Sequence, residues 1–105
     1  MTPQKAYELS VNYPFKFSEK KDYYESILAT SPEYASVYSS FIIYDRFEKG
    51  EKAIATDFYH SYWYANKILK GRFELGEYSI SRSRYYFEKY MNDISNKTHI
   101  YYKFI

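Results

Sequence analysis

The chain has 105 residues, a formal net charge of +2 and no cysteine. This length predicts one domain, and the missing cysteines exclude disulfides, thiolate metal sites and cysteine nucleophiles. The small net charge is not the basic footprint expected of a dedicated DNA-binding protein.

Targeting and membrane signals are not seen in the sequence. The first ten residues contain Lys5 and Glu8 and lack the apolar run of a signal peptide. The longest uncharged apolar stretch, residues 37–44, is too short to cross a bilayer. We therefore expect a cytoplasmic protein with no membrane partner.

A repeat of 26 residues organises the chain. When the sequence is shifted by 26 positions without a gap, residues 25–50 match residues 51–76 at nine positions, and residues 77–102 match the second copy at six. Self-similarity at a fixed period is typical of stacked repeat proteins. We predict a single all-α domain, a short α-solenoid of three helix-turn-helix units, with a half-unit and an insertion at residues 4–24 and an irregular C-terminal tail.

The N-terminal half-unit is predicted from a helical pattern over residues 6–11. Pro14 is expected to end this helix, because proline cannot continue it. Phe15 or Phe17 is expected to pack under the next unit, and the charged residues 18–22 form the insertion.

Each full unit is expected to contain a short helix followed by a long one. In the second copy, Gly50 would end the preceding element through a left-handed conformation. Thr56 or Asp57 would cap the long helix over residues 58–70, and Gly71 would end it. The other copies offer caps at the same place, which are Ser31 before Pro32 in the first and Ser81 or Ser83 in the third.

Positions that recur between the copies are predicted to be structural. A tyrosine and an isoleucine four residues apart share one helix face, and a phenylalanine fills the gap between units. Arg46 and Arg72 are expected to pair with Glu51 and Glu77. The structural positions are Tyr38, Ile42, Phe47, Gly50, Ile54, Tyr64, Ile68, Phe73, Gly76, Ile80, Tyr90 and Ile94.

The second copy resembles a short tandem repeat found in many tailed-phage proteins. Residues 64–77 read YANKILKGRFELGE, which follows the pattern Y-A-x-x-V/I-L/I-K-G-R-F-x-x-G-E. The resemblance covers residues 25–94 and is tight over residues 51–80. The first copy departs from the pattern at Tyr44-Asp45, where Lys-Gly is usual, and the third copy lacks the K-G-R-F stretch.

The resemblance implies a repeat fold and a phage or mobile-element origin, and thus a location in an infected or host bacterial cell. That repeat family has no established activity, so no catalytic residue or cofactor transfers with it. Small phage proteins of this kind often bind host machinery, including defence systems. The resemblance thus implies a host protein or complex as partner.

Catalytic and metal-binding patterns are not found in the sequence. His60 and His99 are the only histidines, and no acidic cluster has ligand spacing around them. Neither a nucleophile elbow nor a phosphate-binding glycine loop is present. We expect no enzyme, no metal and no cofactor.

The aromatic run at residues 58–64 is the leading candidate for a protein interface. One helix stripe cannot bury all of these rings, and tryptophan and tyrosine are enriched at interface hot spots. The alternative is that they pack between adjacent helices. The candidate interface residues are Tyr59, His60, Tyr62 and Trp63.

The third copy interleaves cations with aromatic residues, as proteins that bind single-stranded nucleic acid do. Glu88 and Asp93 dilute this pattern, so a solvated helix face is the alternative. The candidate face for nucleic acid or an acidic partner comprises Arg82, Arg84, Tyr85, Tyr86 and Lys89.

Three functions remain open at this point. The first is a non-enzymatic protein-binding module that modulates a host complex, for example as an anti-defence inhibitor. The second is single-stranded nucleic-acid binding through the third copy. The third is a self-assembling structural protein, in which the stack forms a homodimer through its end. The apolar residues 99–105 are expected to cap the stack or to dock elsewhere.

Overall fold

A computed structural model describes residues 1–95, and no strand occurs among them. The predicted all-α stack of helices is confirmed. The predicted tail at residues 99–105 and the end of the third copy lie outside the described residues. In chain order the α-helices are α1 (Pro3–Asn12), α2 (Pro14–Glu19), α3 (Lys21–Leu28), α4 (Pro32–Tyr38), α5 (Glu51–Ile54), α6 (Phe58–Trp63), α7 (Glu77–Ser81) and α8 (Arg84–Tyr90).

The helices α4, α6 and α8 continue directly into π-helical segments. These segments are Ser39–Ile43, Tyr64–Leu69 and Met91–Ser95. α4 contacts α6, and their π-helical ends contact each other. The same pairings recur between α6 and α8. Successive long helices therefore lie side by side and run in the same direction.

The first two long helices end on left-handed residues that are not glycine. Tyr44 and Lys70 both have φ of 51°, and their N–H groups donate to the carbonyls of Ser39 and Ala65, five residues earlier. The expectation that Gly71 ends the helix is therefore wrong by one residue. The ending belongs to the repeated unit, because it recurs at Tyr44 where the Lys-Gly pair is missing.

Each long helix begins at a side chain that caps it. Asp57 accepts a hydrogen bond from the His60 N–H at 2.8 Å. Thr56 and Ser81 instead donate to carbonyls within the preceding turn, so they are not the caps. The helices α1 and α4 both begin with a capping residue that is followed by proline. The caps of α1, α4, α6 and α8 are Thr2, Ser31, Asp57 and Ser83.

The N-terminal region contains more helix than the sequence indicates. The predicted insertion, residues 18–22, forms the end of α2 and the start of α3. Phe17 is buried, whereas Phe15 is 87% exposed. The Phe17 ring lies 5.3 Å from that of Tyr24 and 5.7 Å from that of Tyr38, measured between centroids. Phe17 is therefore the residue that packs under the first unit.

The recurring glycines serve close packing rather than backbone freedom. Gly50 and Gly76 have φ of −97° and −94°, so the predicted left-handed conformation is wrong. A Cβ atom on Gly50 would lie 2.7 Å from the Cβ of Ala35, and one on Gly76 would lie 2.5 Å from the Oγ of Ser61. Such distances leave no room for a methyl group, so the short helix can approach the long one only at glycine.

The core follows the repeated positions with two exceptions. Ile42 and Ile68 are only partly buried, whereas their counterpart Ile94 is fully buried. Ile68 lies beside a surface cleft, which explains its exposure. The buried repeat positions are Tyr38, Phe47, Gly50, Ile54, Tyr64, Phe73, Gly76, Ile80, Tyr90 and Ile94.

Candidate functional site

A buried polar network joins the first unit to the second. The Tyr64 hydroxyl donates to Glu51 at 2.6 Å and accepts from the backbone N–H of Phe47 at 2.9 Å. Arg46 binds the same carboxylate through two nitrogens, each at 2.9 Å. A bidentate pair of this kind is both strong and specific in geometry. The network therefore fixes the orientation of the long helix α6 against the preceding loop.

The third unit repeats this network at equivalent positions. Tyr90 donates to Glu77 at 2.6 Å and accepts from the N–H of Phe73 at 3.0 Å. Arg72 binds Glu77 at 2.7 and 2.9 Å. The recurring charges thus bind one another within the protein, and the Arg–Glu pairs expected from the sequence are present.

The first unit has a variant of the network. Tyr38 donates to Glu25 at 2.7 Å, but the cation comes from Lys49, at 3.1 Å, which follows in the chain. Position 20, the counterpart of Arg46, is a lysine.

Burial and the hydrogen bonds to glutamate raise the pKa of the network tyrosines, Tyr38, Tyr64 and Tyr90, above the usual value of 10.0. Burial alone would raise the pKa of Glu51. The hydrogen bonds from Arg46 and Tyr64 outweigh it, so the pKa of Glu51 lies below its usual value. At neutral pH the Tyr64 hydroxyl therefore keeps its proton and donates it to the ionised Glu51 carboxylate.

A surface cleft of about 970 Å³ lies between α4 and α6, within the range of ~300–1,000 Å³ that is usual for binding pockets. Ser36 and Phe41 line it from the side of α4, and Tyr59, Trp63 and Lys67 line it from the side of α6. Phe41 is 61% exposed. The cleft therefore presents aromatic surface to the solvent.

Three of the four residues predicted as a protein interface line this cleft. They are Tyr59, which is 47% exposed, and the partly buried His60 and Trp63. Tyr62 is the exception, since it is 1% exposed. Its hydroxyl donates at 2.5 Å to Asp93, in the π-helical segment after α8, and accepts at 3.2 Å from Asn66, in the segment that continues α6. The prediction of Tyr62 as an interface residue is therefore wrong.

Trp63 forms one wall of the cleft. The Lys67 ammonium lies 5.5 Å from the centroid of its ring, which is within cation–π range. The indole N–H is buried and finds no hydrogen-bond acceptor within residues 1–95. An unpaired buried donor costs about 1–3 kcal/mol. Trp63 is thus held at the cleft at some cost to stability.

The predicted basic face of the third copy is divided by the fold. Lys89 lies over the rings of Tyr62 and Tyr85, 5.7 and 5.8 Å from their centroids. Tyr86 packs between α6 and α8, with its centroid 5.4 Å from that of Tyr62. Tyr86 therefore does not continue the surface formed by the exposed Arg82, Arg84 and Tyr85, and the partly buried Lys89 joins that surface to Tyr62.

Arg84 also pairs with Glu88 across one helical turn, at 3.2 Å. This pair reduces the positive charge that the face would offer to phosphate groups. Binding of nucleic acid at this face stays a prediction.

The sequence does not reveal that the π-helical segment after α4 contributes to the site. Phe41 and Tyr44 are 61% and 76% exposed and line the cleft. One signal was available, because Ser36 occupies the repeat position at which the second copy has Tyr62. A small residue in place of a buried ring indicates a gap between helices.

No family model, curated protein or solved structure matches the chain. Within residues 1–95, no helix has both the length and the apolar character needed to cross a membrane. The same residues contain no group of three or more acidic, histidine or cysteine side chains placed to hold a metal ion.

Proposed function

We propose that this chain is a non-enzymatic protein-binding module that holds a segment of its partner in the cleft between α4 and α6. The observation that carries the proposal is the aromatic lining of the cleft. Phe41, Tyr44 and Tyr59 are 61%, 76% and 47% exposed there. Exposed aromatic residues grouped in a concave site are typical of binding surfaces.

Charges at the cleft support a peptide as ligand. Glu33 and Asp45 contribute carboxylates, and Lys67 and Lys70 contribute ammonium groups. Charges of both signs around an apolar centre fix the orientation of a bound segment. The resemblance of residues 51–80 to a tailed-phage repeat makes a bacterial host complex, such as a defence system, the class of partner to test first.

The proposal is tested by purifying the full chain with its partner from a bacterial host and measuring their affinity by calorimetry. Phe41→Ser and Tyr59→Ser should each weaken binding by about tenfold or more, since truncating a hot-spot residue costs about 2 kcal/mol or more. Tyr78→Ser is the matched control, because Tyr78 is 72% exposed and does not line the cleft. A partner whose affinity is unchanged by both cleft variants would contradict the proposal, as would the absence of a stoichiometric partner.

A further inference from the structure

The long helices can be aligned by their capping residues. The residue five positions after the cap is Tyr7 in α1, Ser36 in α4 and Tyr62 in α6. Tyr7 and Tyr62 face the next long helix in the stack, and Ser36, which is 5% exposed, lines the cleft between α4 and α6. Two of the three junctions between helices therefore have a tyrosine at this point, and the α4–α6 junction has a serine.

Both tyrosines fill their junctions. The Tyr7 ring packs on Tyr34 of α4, with a centroid distance of 5.8 Å. The Tyr62 ring packs on Tyr86 of α8 at 5.4 Å. Tyr34 and Tyr86 are themselves equivalent, because each lies three residues after its cap. The same ring-to-ring contact thus occurs on both sides of the α4–α6 junction.

The α4–α6 junction lacks this contact. Its residues at the two positions are Ser36 and His60, and both line the cleft of about 970 Å³. The cleft lies where the fold places a tyrosine ring in the neighbouring junctions.

We propose that the cleft receives a tyrosine side chain of the partner protein, which takes the place of the ring that Ser36 does not supply. The inference rests on the proposed protein-binding function and specifies the chemistry of the partner. Residue equivalence across the repeat indicates what would surround this ring. Trp63 occupies the position of Lys89, whose ammonium covers the Tyr62 ring, so Trp63 provides an aromatic wall.

The residue that would bind the tyrosine hydroxyl also differs between the two junctions. The Tyr62 hydroxyl donates to Asp93, and the residue equivalent to Asp93 at the cleft is Lys67. An ammonium group only donates hydrogen bonds. The ring that enters the cleft must therefore present an acceptor, which a tyrosine oxygen is and a phenylalanine ring lacks.

The experiment titrates the full chain with N-acetyl-tyrosinamide and follows the indole N–H signal in NMR spectra. Trp63 is the only tryptophan, so the chain has one such signal. The signal should shift saturably, and N-acetyl-phenylalaninamide should bind about three- to tenfold more weakly, which corresponds to one hydrogen bond. Lys67→Met should remove this difference.

The matched control is Ser36→Tyr, which supplies the ring from within the chain and should weaken probe binding by about tenfold or more. A saturable shift of the same affinity in Ser36→Tyr would overturn the inference, and so would the absence of a shift in the unaltered chain. If the probe binds only after Tyr101, Tyr102 and Phe104 are changed to alanine, the cleft belongs to this chain's own end and the inference is also overturned.

The two proposals fail separately. In the first case, Phe41→Ser weakens binding of a partner, but Ser36→Tyr does not and the tyrosine probe does not bind. The protein-binding function then stands, and the proposal that the cleft receives a tyrosine is wrong. If the probe binds and no partner protein exists, the ring site stands and the protein-binding function fails.

Discussion

The α4–α6 and α6–α8 junctions are built from the same repeated helices. They differ most at the position five residues after the cap of the first helix in each junction. At the second, Tyr62 lies between the helices at 1% exposure and bonds to Asp93. At the first, Ser36 leaves a cleft beside Trp63. The difference indicates that a repeat can leave a surface cleft where a packing residue is replaced by a small one, without any change of fold.

The parts that the units share carry stability instead. The Tyr64–Glu51 and Tyr90–Glu77 bonds have the same length, 2.6 Å. Phe47 and Phe73 are buried in the same way. Variants of the filled junction and of the shared positions test this division between packing and stability.

The largest effect is expected from Tyr62→Ser, which would open the α6–α8 junction. Loss of a buried aromatic ring costs about 3–5 kcal/mol, measured as the free energy of unfolding in urea. Tyr62→Phe keeps the ring and should lose only the bond to a charged acceptor, about 1.5–3 kcal/mol. Equal losses for the two variants would mean that the ring does not fill the junction.

The next effect concerns the close approach shared by both units. Gly76→Ala should destabilise the protein by about 1–3 kcal/mol, because the added Cβ would lie 2.5 Å from Ser61 and 2.6 Å from Phe73. Lys52→Ala, on an exposed face, should stay within about 0.5 kcal/mol. A Gly76→Ala variant as stable as the unaltered chain would show that the short helix can move away from α6.

Acid stability should depend on Glu51. Because its folded-state pKa is lowered, its contribution is fully present above its unfolded pKa, which is about 4.3, and is lost as the pH falls through the folded pKa. Glu51→Gln should therefore be less stable at pH 7, by about 1–3 kcal/mol, and should lose less stability on acidification. Parallel pH profiles for the two proteins, from thermal unfolding between pH 7 and acid, would exclude this role.

The smallest effect is expected at the left-handed helix end. Lys70 has φ of 51°, a conformation that costs a non-glycine residue about 1–2 kcal/mol. Glycine removes this cost but adds about 0.5–1 kcal/mol of backbone entropy loss. Lys70→Gly should therefore stabilise the protein by up to about 1.5 kcal/mol in urea unfolding. Destabilisation would mean that the lysine side chain contributes contacts at this end.

The sequence was sufficient for the features that repeat. The period of 26 residues predicted the helical stack, and the recurring Phe47 and Phe73 predicted buried contacts, because identical packing requires identical residues in each copy. Ser31 and Asp57 were recognisable as caps because capping is a local interaction.

Features that depend on the distance between helices could not be predicted. The sequence suggests backbone freedom for Gly50, but its role is set by Ala35 of α4, which an added Cβ would approach to 2.7 Å. Tyr62 was assigned to the surface, because a single helix pattern does not reveal that α8 covers it. The π-helical ends left no sequence signal either, since Tyr44 and Lys70 differ in type and share a conformation.

The claim that the cleft is a vacant site for a tyrosine ring is tested most directly by the free energy of unfolding of Ser36→Tyr, measured in urea. A ring forced into a closed, well-packed site costs about 1–3 kcal/mol. If the cleft is the vacant counterpart of the Tyr7 and Tyr62 sites, the ring should fit. The free energy of unfolding of the variant should then fall below that of the unaltered chain by no more than about 0.5 kcal/mol. A loss of more than about 1 kcal/mol would show that the cleft cannot hold a tyrosine ring and would contradict the account.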